Sequence, residues 1–266
     1  EFVTLSNDHV HVAETEHVVY IVPDMGRERS LVRIIEVENP ESAIIFCNTK
    51  VNVHFVAVVL QRFGYDADEL SSDLEQSARE KVMDRVRQGK LRLLVTTDVA
   101  ARGIDVPELS HVVQYEVSED PELYIHRAGR TGRAGAAGVA ITLIGDFSEQ
   151  VRLKRIRDKY GLDLTERPLP TDEDVTNLVA ERLTALLESN LRQRDNLQKE
   201  RLHRFLPLAK TLGESLEGQS LIAMLLDDIY QQTLKAATTP VEAPAPRKEP
   251  DNKEQRDRRP RRPRRR

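Results

Sequence analysis

The run Tyr124-Ile125-His126-Arg127-Ala128-Gly129-Arg130-Thr131-Gly132-Arg133-Ala134-Gly135 sets three arginines at intervals of three among glycines and small residues. Glycine lets backbone approach a crowded site, and guanidinium groups offer forked donors to phosphate oxygens, so the pattern suits a polyanion. A second run, Val95-Thr96-Thr97-Asp98-Val99-Ala100-Ala101-Arg102-Gly103-Ile104-Asp105-Val106, ends an apolar stretch in hydroxyls and a carboxylate before turning through small residues. Such a turn can offer backbone and side-chain contacts to a phosphodiester chain. In a third, Ile44-Ile45-Phe46-Cys47-Asn48-Thr49, apolar residues again give way to polar ones, and Gln76-Ser77-Ala78-Arg79 opens a helical pattern. Each has a plainer reading when taken singly. Asn48-Thr49 can simply cap the following helix, and a charge-rich loop is ordinarily a solvated surface.

The elements that must position these residues are legible in the periodicity. Short β-rich runs over 17–22, 43–47, 91–96, 112–115 and 139–144 alternate with amphipathic helical patterns, which implies an α/β fold with a parallel sheet covered by helices on both faces. Val51, Phe55, Val58 and Val59 lie at helical spacing before Gly64, a C-cap candidate, and a helix over 76–87 ends at Gly89. In open α/β sheets the working residues gather at the carboxyl ends of the strands. The loops after Cys47, Thr96 and Tyr115 are therefore where chemistry is expected, and the motif runs fall there.

Around this unit the chain divides by composition. Residues 1–16 are polar, contain histidines and read as a linker; 17–168 form the α/β domain. Over 169–237 the β-rich pattern stops and three helical stretches follow, with Thr171 and Asp174 at capping-box spacing and Pro207 placed to divide the second stretch. So much apolar surface on short helices would make a marginal domain alone, so pairing with a second copy is expected, against the alternative of an extension folded back on the core. Residues 238–266 form a Pro/Arg-rich basic tail without large apolar residues, expected to be disordered. The net charge of −4 hides this asymmetry, because 255–266 carries eight arginines and one acid and leaves the rest near −11. A cationic end on an acidic body suits RNA, with a solubilising tail as the bland alternative.

Cys47, the single cysteine, sits in an apolar run, which excludes an intrachain disulfide and a thiolate metal cluster. No stretch approaches the roughly 18 to 20 apolar residues needed to cross a bilayer, and a soluble, cytoplasmic protein without a membrane segment is expected.

In this order and spacing, the four runs resemble the C-terminal-domain motifs of DEAD-box RNA helicases, over residues 17 to 160. The resemblance implies a RecA-like fold and an ATP-dependent RNA helicase that locally separates RNA strands. It implies that Arg130 and Arg133 reach the γ-phosphate of ATP across an interdomain cleft, with His126 coupling that site to the other domain. Asp105 would contact the ATP ribose, Gly103 would lie beside both nucleotide and RNA, and Asn48, Thr49, Gln76, Arg79, Thr97 and Asp98 would touch or frame the RNA backbone. The helical segment resembles the dimerisation region of the bacterial cold-shock members, implying a homodimer. Two positions depart from the family: Leu70-Ser71-Ser72-Asp73 stands where Leu-His-Gly-Asp is usual, and Tyr115-Glu116-Val117 where Tyr-Asp-Pro is usual. The sequence holds neither the G-x-x-x-x-G-K-[S/T] run that cradles phosphates nor an Asp-Glu-Ala-Asp run to hold magnesium. ATP with Mg2+ is thus expected to bind mainly to a first RecA-like domain upstream. The rival readings are a related superfamily 2 helicase acting on DNA, and a dimerising module that binds RNA or protein without catalysis.

Overall fold

The computed structural model describes residues 15–102, 109–132 and 138–235. Among the described residues seven strands form one sheet: β1 (Thr15–Ile21), β2 (Ala43–Phe46), β3 (Ala67–Leu70), β4 (Leu93–Thr96), β5 (His111–Gln114), β6 (Gly138–Ile144) and β7 (Leu164–Arg167). All neighbours run parallel, in the order β3-β4-β2-β5-β6-β1-β7. Parallel pairing demands crossover connections, and helices supply them: α1 (Arg27–Glu38), α2 (Lys50–Arg62), α3 (Gln76–Arg87), the single turn α4 (Asp98–Ala101), α5 (Pro121–Ala128) and α6 (Phe147–Tyr160).

Alternation along the strands sends successive side chains to opposite faces. Ile45, Val95, Val113 and Ile141 pack with α1 and α2 in one apolar cluster, while Ile44, Phe46, Leu94 and Val112 join α3 in another. Val19 and Ile144 meet α5 and α6 in a third. The sheet is thus covered on both faces, and its central strands are predominantly apolar, as a doubly buried parallel sheet requires. Cys47 is fully buried among these residues, and burial pushes its thiol far above the ordinary range. Two strands lie outside the sequence expectation, β3 and β7, and both are edges. β1 also begins at Thr15, two residues inside the stretch assigned to the linker.

Beyond the sheet lie α7 (Asp172–Gln193), α8 (Asn196–His203), α9 (Leu206–Gly213) and α10 (Leu216–Lys235). The capping box at Thr171 and Asp174 starts α7, and Pro207 sits in the first turn of α9, where the lost N–H costs nothing. The helices do not leave all their apolar surface for a partner. Leu234 belongs to the principal core cluster with Tyr230 against it, and Leu183 is buried.

A buried carboxylate helps tie this region down. Glu36 of α1 accepts from the hydroxyls of Tyr65 and Tyr230, and Arg182 Nη1 donates to the Glu36 carbonyl at 2.6 Å. Burial and the Glu36 contact push Tyr230 up to about 12, and Tyr65 is raised as well. A tyrosine whose folded-state pKa is raised contributes stability that is complete below its unfolded value of about 10 and lost as pH climbs to the folded value. The denaturation midpoint of the wild type is therefore expected to fall between about pH 10 and 12. Tyr230→Phe, which has no proton to lose, should flatten that fall; an equal fall in the variant would exclude Tyr230 as its source.

Candidate functional site at the carboxyl edge of the sheet

The register places the ends of β2, β4 and β5 side by side. Phe46 pairs with Thr96 on one flank and Gln114 on the other, so the loops that follow emerge together. In the β2–α2 loop, Thr49 accepts from the Asn52 N–H at 3.2 Å and caps α2, which is the plain reading of that pair. After β4, Thr97 caps α4 by accepting from the Ala100 N–H at 3.4 Å. Arg79 of α3 donates to the Ala100 carbonyl at 2.8 Å, and Gln76 donates to Glu80 at 2.8 Å. Asn48, Thr49, Thr97, Asp98, Gln76 and Arg79 thus share one edge, in the loops after β2 and β4 or on the helices α3 and α4.

Asp120 and Pro121 explain why the arginine run begins in a helix. The Asp120 carboxylate accepts from the Glu122 N–H at 2.9 Å, and Pro121 occupies the first turn of α5. In the last turn, His126 faces solvent while Tyr124, Ile125, Arg127 and Ala128 face inward. Arg127 therefore does not join the outward arginines that the sequence spacing suggested. It is 2% exposed, and its guanidinium lies over the Phe46 ring, 5.3 Å from the centroid. Nε and Nη2 donate to the two Asp98 carboxylate oxygens at 2.8 and 2.7 Å. Nη2 also donates to Asn48 Oδ1 at 2.9 Å, and Nη1 to the Glu116 carbonyl at 2.9 Å. One side chain on α5 thereby ties together the loops after β2, β4 and β5. The signal was in the sequence, since Asp120-Pro121 marks a helix start and helical spacing places Arg127 beside Tyr124 on its buried face.

The departures from the family pattern also have places. Glu116 accepts from the Asn48 N–H and from Asn52 Nδ2, each at 2.8 Å, and Asp73 pairs with Lys50. A second knot lies alongside, where Arg27 meets Glu149 through both carboxylate oxygens at 3.0 and 2.6 Å and donates to the Tyr115 carbonyl. Glu149 accepts in addition from the Val117 and Gly145 N–H groups. The two knots meet at residues 115–117, so the end of β5 is held from both sides.

Between α4 and α5 opens a cavity of about 270 Å³ lined by Phe46, Asp98, Arg102, His126, Arg127 and Arg130 among others. Arg130, half-buried, and exposed His126 are brought together here with exposed Arg102, while Arg127 in the wall is paired with Asp98; the remaining cationic surplus makes a concavity fit for a phosphate-bearing ligand. Gly103, Asp105 and Arg133, expected at the same site, lie outside the described residues. So does the tail. Among the described residues no group of three His, Cys, Asp or Glu side chains could hold a metal ion, and no helix is long and apolar enough to cross a membrane. A larger cavity, about 380 Å³, lies at the opposite end of the sheet between Arg92, Arg182 and Tyr230 and contains none of the expected site residues.

Residues 26–135 match the helicase conserved C-terminal domain family. The chain is 37% identical over 232 residues to the RNA helicase CrhR of Synechocystis sp., which covers 87% of this chain and 46% of that protein. Among solved structures, the C-terminal domain of the DEAD-box protein Dbp5 is 31% identical, with a TM-score of 0.54, over 64% of this chain and 99% of that one. The S. cerevisiae Dbp5 bound to RNA and ADP BeF3 is 31% identical, with a TM-score of 0.59, over 66% of this chain and 47% of that one. The chain spans less than half the length of the curated relatives it matches.

Proposed function

Since this chain belongs to the DEAD-box family of RNA helicases, whose second RecA-like domain it contains, we propose that it supplies the trans half of an ATP-dependent, RNA-unwinding machine. The observation that carries the reading is the carboxyl edge itself, where His126 of α5 and Arg130 just beyond it line the basic cavity while Asn48, Thr49, Thr97, Asp98, Gln76 and Arg79 lie in the neighbouring loops and helix starts. A two-domain engine needs both surfaces on one rigid body. RNA would be gripped by its sugar–phosphate backbone, which gives affinity without sequence reading. Arg130, with Arg133 and the Asp105 and Gly103 contacts to nucleotide, would complete a pocket whose phosphate cradle and magnesium ligands belong to the first domain. When that domain closes on ATP and RNA, one strand is bent and its partner released; hydrolysis reopens the pair.

The test is a comparison of the chain alone with the full-length protein. The chain alone is expected to hydrolyse no ATP, with or without RNA, because it has no P-loop. The full-length protein should turn over ATP in an RNA-stimulated manner, more strongly with RNA than with DNA. RNA-stimulated turnover by the purified chain alone would overturn the division of labour.

We further propose a cytoplasmic homodimer formed through 169–237. Support comes from the apolar residues that the fold leaves uncovered there, including Leu197 at 77% exposed, Leu216 at 84% and Leu206, Leu208, Met224 and Leu225 at 52–56%. Surface of this kind on consecutive helices marks an interaction site, and a second copy covers it symmetrically. Sedimentation at tens of micromolar should give a dimer; a monomer at that concentration would exclude this pairing. The basic tail is proposed to add salt-sensitive RNA affinity.

A further inference from the structure

We propose that Arg127 is the positioning residue that couples the nucleotide-facing helix to the RNA-facing loops, an assignment that rests on the helicase reading. Three facts lead to it. First, α5 points His126 outward while planting Arg127 inward, and Arg130 follows directly, so the groups aimed at nucleotide share a backbone with this buried guanidinium. Second, Asp98 and Asn48, two of its partners, are among the side chains expected to touch or frame the RNA backbone. Third, a further contact, to the Glu116 carbonyl, fixes the loop whose carboxylate holds Asn48 N–H and Asn52.

A planar fork bonded at once to Asp98, Asn48 and the Glu116 carbonyl cannot shift by about an ångström and keep its bonds, because hydrogen bonds fail steeply with length and angle. Drawing α5 toward a γ-phosphate therefore drags Asp98 and Asn48 along, and RNA that orders those loops draws α5 back. Linkage makes the effect reciprocal. Stability alone is a poor reason for such a residue, since burying a guanidinium costs desolvation that a well-packed apolar side chain avoids. Lysine keeps the charge but not the fork, and cannot hold both Asp98 oxygens with Asn48 and the Glu116 carbonyl.

The measurement is RNA affinity of the full-length protein with and without a non-hydrolysable ATP analogue, in wild type, Arg127→Lys and the milder Asp98→Asn, each with its thermal midpoint. Coupling in allosteric proteins is typically about 5–150-fold, and the wild-type ratio should lie in that range. In both variants the ratio is expected to collapse to within about threefold of unity. A merely structural residue would lower the thermal midpoint and leave the ratio intact in the folded protein, which would overturn the assignment. Should Arg127→Lys not fold, Asp98→Asn decides alone by the same ratio. A wild-type ratio near one would sink the helicase reading itself and this assignment with it, whereas a normal wild-type ratio kept in both variants sinks the assignment only.

Discussion

Replacing Arg130 with alanine in the full-length protein is expected to lower RNA-stimulated kcat by about 10³ to 10⁵, the range of an arginine finger. The reason is geometric and electrostatic together. The residue lies just past α5, and that helix is capped by Asp120 and pinned by Arg127, so the backbone that carries the guanidinium starts from a fixed point. Preorganised charge in a site that closes against water costs no reorganisation as the phosphoryl group transfers, and is worth far more there than on a wet surface. The loss should appear in the chemical step. RNA affinity measured without nucleotide should move far less, since Arg130 faces the cavity rather than the β2 and β4 loop ends. A kcat within threefold of wild type would remove Arg130 from the mechanism.

Replacing Arg127 with methionine is the second large effect, and it falls on stability. Methionine fills part of the volume, but it leaves the Asp98 carboxylate and the Glu116 carbonyl without their donor. Breaking a buried pair from one side typically costs about 3–5 kcal/mol, because the remaining charge is stranded. For a protein of this size each kcal/mol moves the melting temperature by roughly 2–4 °C, so a fall on the order of 10 °C is expected. Arg85, whose guanidinium pairs with Asp66 and Asp68 while 40% exposed, is the comparison: Arg85→Met should cost less than about 1 kcal/mol. Equal melting temperatures for wild type and Arg127→Met would show that the three loops hold together without the buried fork.

The contrast between these two arginines also explains what could be read from sequence. The five inner strands announce themselves through apolar runs such as Ala43–Phe46 and Leu93–Thr96, since a strand buried on both faces has no polar side to disguise it. The two edge strands do not. Ala67–Leu70 carries Asp68 and Glu69, and Leu164–Arg167 carries Glu166 and Arg167, because edges are kept polar to discourage further pairing. Helix α1 escaped the periodicity reading although Asn39, in the left-handed conformation at its end, and the following Pro40 form a stop signal. The candidate site was legible as a set of motifs, but not as a division of labour within them. Spacing grouped Arg127 with Arg130; only the direction of α5 separates a guanidinium that holds the loops from one that faces the cavity. The docking of α7 and α10 through Glu36 had no local signal, since its partners come from positions 36, 65, 182 and 230. Contacts between residues so far apart in sequence are fixed by packing rather than by pattern.

The most direct measurement of the trans-acting guanidinium is the affinity of full-length protein, in the presence of RNA, for ADP with aluminium fluoride relative to ADP alone. That complex imitates the transferring phosphoryl group, so only contacts made to the γ-position distinguish the two ligands. If Arg130 and Arg133 reach across the cleft, the wild type should prefer the mimic strongly. Arg130→Ala combined with Arg133→Ala should then erase most of that preference while ADP affinity stays close to the wild-type value. A double variant that still discriminates as well as the wild type would contradict the role given to this domain.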